Sequence, residues 1–251
     1  MTDRCNDVTV QLDVPATMRD GTVLRANVYR PDGEGRWPVL LTRLPYGKDF
    51  PIGGMVLDPV QTARRGYIVV VQDTRGRFSS DGDYYPYRLE TEDSVDTVAW
   101  AAQLPGADGG VGMYGASYFG NTQWLGASEA PPALKAIVPF VTWRDPRNGH
   151  RFRGGAMELG KSVSWHIQQG FNVLARRHRD DPAALAVAMQ NLAAEQDALA
   201  QGGYASLPLA RFAPLVRHDV APAFFAELGG GTDPACFADY SLVGKHARVQ
   251  V

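Results

Sequence analysis

GMYGASYFGNTQW, residues Gly112 to Trp124, decides the fold, because two different strand-to-helix turns compete for it. In the first, Ser117 is a nucleophile on a strained turn, with Gly115 two residues before it and Phe119 where the G-x-S-x-G pattern has its second glycine. In the second, Gly115 and Gly120 take the G-x-x-x-x-G spacing of a phosphate loop, Thr122 follows, and Asn121 stands where the lysine belongs. Each pattern lacks one residue. The phosphate loop lacks a charge, since an ammonium must reach the β- and γ-phosphates and Asn121 offers none. Asp73, the strand-end acid that could hold magnesium, precedes the loop instead of following it. The elbow lacks only a small residue, and Gly120 one position later can supply the close approach of helix to strand. A Ser117 that merely caps the helix accounts for the short motif equally well.

To either side of this turn, apolar strands alternate with helices. VTVQLDV (8–14) and VLRANVYR (23–30) are rich in β-branched residues and read as an edge meander, the second set off by the turn-forming Arg19 to Gly21. VLLTRLPY (39–46) and YIVVVQD (67–73) are near-continuous apolar runs, typical of strands buried on both faces. Between them lie a Gly/Pro-rich loop from Gly47 to Pro59 and a short helix to Arg65. LETEDSVDTVAWAAQL (89–104) reads as a helix: Val95, Val98, Ala99 and Ala102 share one face, acids fill the first turns, and Pro105 and Gly106 stop it. GGVGMYG (109–115) is then a short strand, Tyr118 to Ala127 a helix, and LKAIVPFV (134–141) another strand. The alternation predicts an α/β fold with a doubly wound, mostly parallel sheet over residues 1–142.

From Trp143 the pattern changes. Helical stretches such as SVSWHIQQGFNVLARR (162–177) and PAALAVAMQNLAAEQDALAQ (182–201) dominate, so 143–240 is expected to be an inserted helical cap. HARVQV (246–251) looks like the opening of a further strand, making 241–251 the start of a returning core strand. The net charge of −2 leaves no basic excess to meet a nucleic-acid backbone. The N-terminal MTDRCNDVTV is too polar for a signal peptide or anchor, no later run is long enough for a bilayer, and the chain reads as cytoplasmic with no membrane partner. Cys5 and Cys236 are too few and too far apart for a disulfide framework or metal knuckle, so they read as two unpaired thiols; no metal or cofactor is expected.

Together with QDTRGRFSSDGDYYPY (72–87) and RLPYGK (43–48), the opening stretch resembles the family of cocaine esterases, α-amino-acid ester hydrolases and Xaa-Pro dipeptidyl peptidases. The resemblance runs in order from VPATMRDGTVLRANVYRP (14–31) through about Val141 and more loosely into the helical region. It implies an α/β-hydrolase fold, and it removes the anomaly at Phe119, since this family places a tyrosine and a bulky residue between serine and glycine. It implies that Ser117 is the nucleophile attacking an ester or amide carbonyl. The oxyanion donors it implies are the backbone N–H of Tyr118 and the hydroxyl of Tyr46. By their residue types alone, Tyr46 would be an ordinary packed tyrosine and Trp124 a core residue. Asp73 and Arg75 could bind a substrate carboxylate or tie loops together, and the second role is expected. Glu90, Glu92, Asp93 and Asp96 read as a solvated face matched to the helix dipole.

In this fold the triad runs serine, acid, histidine along the chain, the last two on loops after late core strands. His150, His166, His178 and His218 fall in the helical region, and His246 precedes the expected strand instead of following it. Each reads as an ordinary histidine. The family's acid and histidine motifs, and the late core strands that carry them, have no counterpart here, so the chain resembles the front part of a larger enzyme. The expectation is a serine hydrolase acting through an acyl-enzyme on a small ester, amide or short peptide. A non-catalytic homologue that keeps only a binding pocket is the alternative, and a nucleotide-binding protein a further one. Oligomeric state leaves no mark in the sequence.

Overall fold

The computed structural model describes residues 6–251, which form two compact units, 6–144 with 242–251 and 145–241. The first is built on a six-stranded sheet in the order β1-β2-β4-β3-β5-β6, comprising β1 Val8–Thr17, β2 Val23–Pro31, β3 Trp37–Leu44, β4 Ile68–Asp73, β5 Ala107–Ala116 and β6 Leu134–Phe140. β2 pairs antiparallel with both β1 and β4, whereas β4, β3, β5 and β6 run parallel. The parallel pairs need crossovers, which are the helices α1 Pro59–Arg64, α2 Glu90–Ala101 and α3 Ser117–Ala127. The edge meander and the doubly wound alternation read from the sequence are both present.

Every residue of β4, IVVVQD, is buried, as its continuous apolar run requires of a central parallel strand. Val39 and Leu41 of β3, Ile68 and Val70 of β4, and Val111 and Met113 of β5 join Val98 and Ala101 of α2 and Ala127 of α3 in one core. Shortening Leu41, wholly buried there, to alanine would cost about 2–5 kcal/mol. α2 and α3 lie very close, because a Cβ on Gly126 would sit 2.7 Å from the Cβ of Ser94. β1 carries a bulge between Gln11 and Val14, where Asp13 adopts φ +53°. β6 is an edge strand with Val138 60% and Phe140 40% exposed, and Val141 just beyond it is 81% exposed.

The second unit is helical, as expected, with α4 Leu159–Arg177, α5 Pro182–Leu199, α6 Ala213–His218 and α7 Pro222–Glu227 around Val163, Ile167, Leu192, Phe212 and Phe224. It also holds a hairpin too short to read from sequence, β7 Phe152–Arg153 with β8 Ala156–Met157. Residues 246–251 are not the expected strand. His246–Arg248 forms a 3-10 turn, and the backbone returns to the first unit through a bond from the Leu242 N–H to the Arg144 carbonyl. Alternating apolar residues in so short a segment make a strand only where a partner edge pairs with them. Cys5 lies outside the described residues, and Cys236 is a free thiol. Among the described residues no helix is long and apolar enough to cross a membrane.

Candidate active site

The turn between β5 and α3 is strained at one residue. Ser117 has φ +53°, in the left-handed region that a serine rarely enters, directly after Ala116 in extended conformation. Gly115, at φ +140°, explains why Phe119 fits: a Cβ there would lie 2.1 Å from Phe119 Cδ2, so the absent side chain makes room for the ring. Gly120 supplies the close approach expected of it, since its Cβ would meet Thr142 Cβ at 2.9 Å and the Gly115 carbonyl at 3.1 Å. The displaced glycine is therefore a structural exchange in which a bulky residue covers one glycine while its neighbour packs on the strand.

The turn is held at three of its carbonyls by two side chains. Thr142 Oγ1 donates to the Ser117 carbonyl at 2.9 Å. The amide of Gln123, wholly buried, donates to the carbonyls of Gly115 (3.0 Å) and Phe119 (2.8 Å) and accepts from the Val138 N–H of β6 at 2.9 Å. Sequence reading missed Gln123, one polar residue beside Asn121 and Thr122 in the helix, with nothing in its type to set it apart. Asn121, the residue a phosphate loop would have as lysine, is buried and donates to the Trp143 carbonyl at 3.4 Å.

Tyr118, next to the serine, is buried, and its hydroxyl donates to Glu90 Oε1 at 2.8 Å while accepting the Tyr87 N–H at 3.0 Å. Burial, reinforced by the Glu90 carboxylate, holds that phenol well above its usual range, so it stays neutral. Glu90 in turn takes Arg43 at 2.8 Å, and Arg43 also donates to Gln72 (2.8 Å) and Ser94 (2.7 Å). Burial raises the Glu90 pKa, and the Arg43 charge opposes the rise. This corrects the expectation of a solvated acidic face. Glu90 and Asp93 are 3% and 1% exposed and hold arginines from other elements, while Asp96 takes the surface Arg19 at 2.7 Å. Three- and four-residue spacing places acids on one helical face, but which face is buried depends on partners distant in sequence.

Tyr46, half-buried just after β3, turns its ring edge-on to Tyr118 (6.4 Å between centroids) and to Phe119 (6.2 Å). The structure thus brings Tyr46 against Tyr118 and Phe119, the two residues that follow Ser117, although Tyr46 is far from them in the sequence. Arg75 ties loops, as expected: it pairs with Asp93 at 2.6 Å and with Asp20 at 2.8 Å, and the guanidinium pulls the Asp20 carboxyl down to about 2. Trp124 is half-buried, edge-on to His246 at 6.1 Å. His246, the one histidine of this unit, is exposed at that tryptophan, with no bond to Ser117 among the described residues. His150 and His166, in the helical unit, are buried, and burial holds both well below the usual histidine range, hence neutral.

A model of the X-Pro dipeptidyl-peptidase (S15) family matches residues 20–212. The chain belongs to that family. The S15 match covers β2 to β6 of the sheet, the Ser117 turn and much of the helical unit. Cocaine esterase from Rhodococcus sp. (strain MB1 Bresler) is 38% identical over 175 residues, which are 67% of this chain and 30% of that protein. Among solved structures, a CocE/NonD family hydrolase from Staphylococcus aureus is similar with a TM-score of 0.61 and 30% identity over 70% of this chain and 34% of its own. An α-amino acid ester hydrolase gives 0.55 and 28%, over 65% and 30%. The fold of this S15 chain is the α/β-hydrolase one, and it spans about a third of the length of these relatives.

Proposed function

We propose that the chain is the nucleophile-bearing part of a serine hydrolase acting on small esters, amides or short peptides. The observation that carries the reading is Ser117 at φ +53° on the β5–α3 turn, a conformation of order 1–3 kcal/mol above the ordinary wells that lifts the serine clear of the strand. Ser117 Oγ bonds to the acyl carbon and its proton passes to a base. The tetrahedral oxyanion takes hydrogen bonds from the Tyr46 hydroxyl and the Tyr118 N–H. The carbonyl re-forms as the bond to the alcohol or amine breaks, the leaving group takes the proton, and water then hydrolyses the acyl-enzyme. On this reading the triad acid and histidine reside in the two thirds of its relatives that the chain does not span.

The named activity of the 38% identical relative favours a compact ester over a long peptide. An alkyl fluorophosphonate tests the reading. Slow labelling that disappears in Ser117→Ala is expected, since the base lies outside this span; labelling that persists in Ser117→Ala, or none in the parent chain on prolonged exposure, would sink it. A second reading, binding without turnover, draws on the position of His246 away from Ser117 and predicts acyl transfer at the uncatalysed rate even where a phosphonate reacts.

A further inference from the structure

The backbone around Tyr46 is gripped at successive points by one other loop. The segment Leu44–Lys48 leads out of the end of β3, and Asp73–Arg77 leads out of the end of β4 alongside it. The Thr74 N–H donates to the Leu44 carbonyl at 3.1 Å. Arg77 Nε donates to the Pro45 carbonyl at 2.8 Å, and Asp73 Oδ1 accepts the Lys48 N–H at 2.7 Å. Tyr46 therefore sits between two backbone groups held by charged side chains that are themselves buried, Arg77 at 2% and Asp73 at 0% exposure.

The grip is stiff at both ends. The Arg77 guanidinium lies over the Tyr84 ring at 4.3 Å and near Phe78 at 5.3 Å, so stacking fixes its plane. Asp73 also has Ser79 Oγ at 3.4 Å and Lys48 Nζ at 3.9 Å on its other oxygen. Gly47 at φ +94° turns the chain between the two anchors, and a Cβ there would strike Phe50 at 2.4 Å. Charge-assisted bonds to a backbone carbonyl and a backbone N–H carry no chemistry of their own, but they fix the two residues between them, Tyr46 and Gly47.

We propose that Asp73 and Arg77 are positioning residues that aim the Tyr46 hydroxyl at the oxyanion formed on Ser117. The inference rests on the serine-hydrolase reading and adds to it a role for the DTRGR segment, Asp73 to Arg77. It predicts an effect on the limiting rate of acylation or phosphonylation and none on initial binding, because only the developing oxyanion uses Tyr46.

The experiment measures fluorophosphonate labelling of the intact chain against reagent concentration, separating the limiting rate from half-saturation, alongside deuterium exchange over residues 45–49. Tyr46→Phe should lower the limiting rate about 100-fold, and Arg77→Met should do the same at unchanged half-saturation. The double variant should lose no more than either alone, since both remove one donor. Asp73→Asn retains the Oδ1 acceptor and should label like the parent, whereas Asp73→Ala should be slow and exchange faster at Lys48. Additive losses in the double variant, a change confined to half-saturation, or an Asn variant as impaired as the Ala variant would overturn the proposal. If Arg77→Met fails to fold, Arg77→Lys, which keeps the charge and loses the Nε geometry, takes its place. A parent that is not labelled while Asp73→Ala still speeds exchange at Lys48 would sink the hydrolase reading but leave the grip standing; labelling with unchanged exchange in Asp73→Ala would sink the grip alone.

Discussion

The two units each bury the same trio, an arginine, a glutamate and a tyrosine. In the first, Glu90 links Arg43 (2.8 Å) to the Tyr118 hydroxyl (2.8 Å); in the second, Glu227 links Arg151 (2.7 Å) to the Tyr240 hydroxyl (2.5 Å). Both carboxylates bridge a cation and a phenol in surroundings where an unpaired charge is costly. The difference lies in the backbone next to them. Tyr118 adjoins a serine at φ +53° and faces Tyr46, whereas Arg151 lies beneath Trp165 at 5.1 Å and Tyr240 stacks edge-on to Phe237 at 5.6 Å, an all-structural setting. A buried ion pair with a displaced pKa is thus a poor marker of a site by itself. Strain beside it is the better one.

The largest expected effect probes that contrast directly. Glu90→Ala and Glu227→Ala should each cost about 3–5 kcal/mol in denaturant unfolding, because each strands a buried arginine. Only Glu90→Ala should also slow phosphonate labelling in the molecules that remain folded. Equal slowing by both would erase the distinction between the trios.

The next effect separates the units by pH. Burial raises Asp73 in the sheet unit from 3.8 to about 6, opposed by the N–H and charge of Lys48. A carboxyl with a raised folded-state pKa binds its proton more tightly folded than unfolded, so its contribution to stability falls as pH rises from about 4 to 6. His150 and His166 behave oppositely: kept neutral by burial, they cost stability as pH falls below 6.5, where the unfolded chain takes up protons and the folded chain does not. Replacing Asp73 by asparagine should therefore improve stability relative to the parent by an amount that grows from little at pH 4 to on the order of 3 kcal/mol at pH 7. His166→Gln should reduce the loss on acidification from pH 7 to 5. Urea titrations at fixed pH values read both, and parallel curves for parent and Asp73→Asn would remove Asp73 from the account.

The smallest effect concerns strain alone. Ser117→Gly relieves the left-handed backbone and should raise the melting midpoint, by about 1 kcal/mol in stability, relative to Ser117→Ala, which removes the same hydroxyl but keeps the strain. No gain would mean that the turn is relaxed as it stands.

Much of this was legible in the sequence where apolar periodicity dominates. VLLTRLPY and YIVVVQD announce central strands because near-continuous apolar runs of this length fit a sheet covered on both faces, and the glycine spacing around Ser117 marks a strand-to-helix turn. Three things were not. Glu90 and Asp93 read as a solvated face because their partners Arg43 and Arg75 come from other strands and loops. HARVQV reads as a strand by alternation, yet pairing, which alternation does not encode, is what makes one. Gln123 and Arg77 act through carbonyls, and carbonyls leave no trace in residue identity.

The exposed edge at β6 has a practical meaning for work at the bench. Val138 and Phe140 are exposed on a strand that pairs with β5 alone, and Val141 continues the apolar run. Such a ribbon recruits any other extended chain, so in concentrated solution folded copies would zip together edge to edge without unfolding first. Concentration, ionic strength and the choice of fusion partner at that end of the sheet would then govern whether a preparation stays dispersed, independently of how stable the fold itself is.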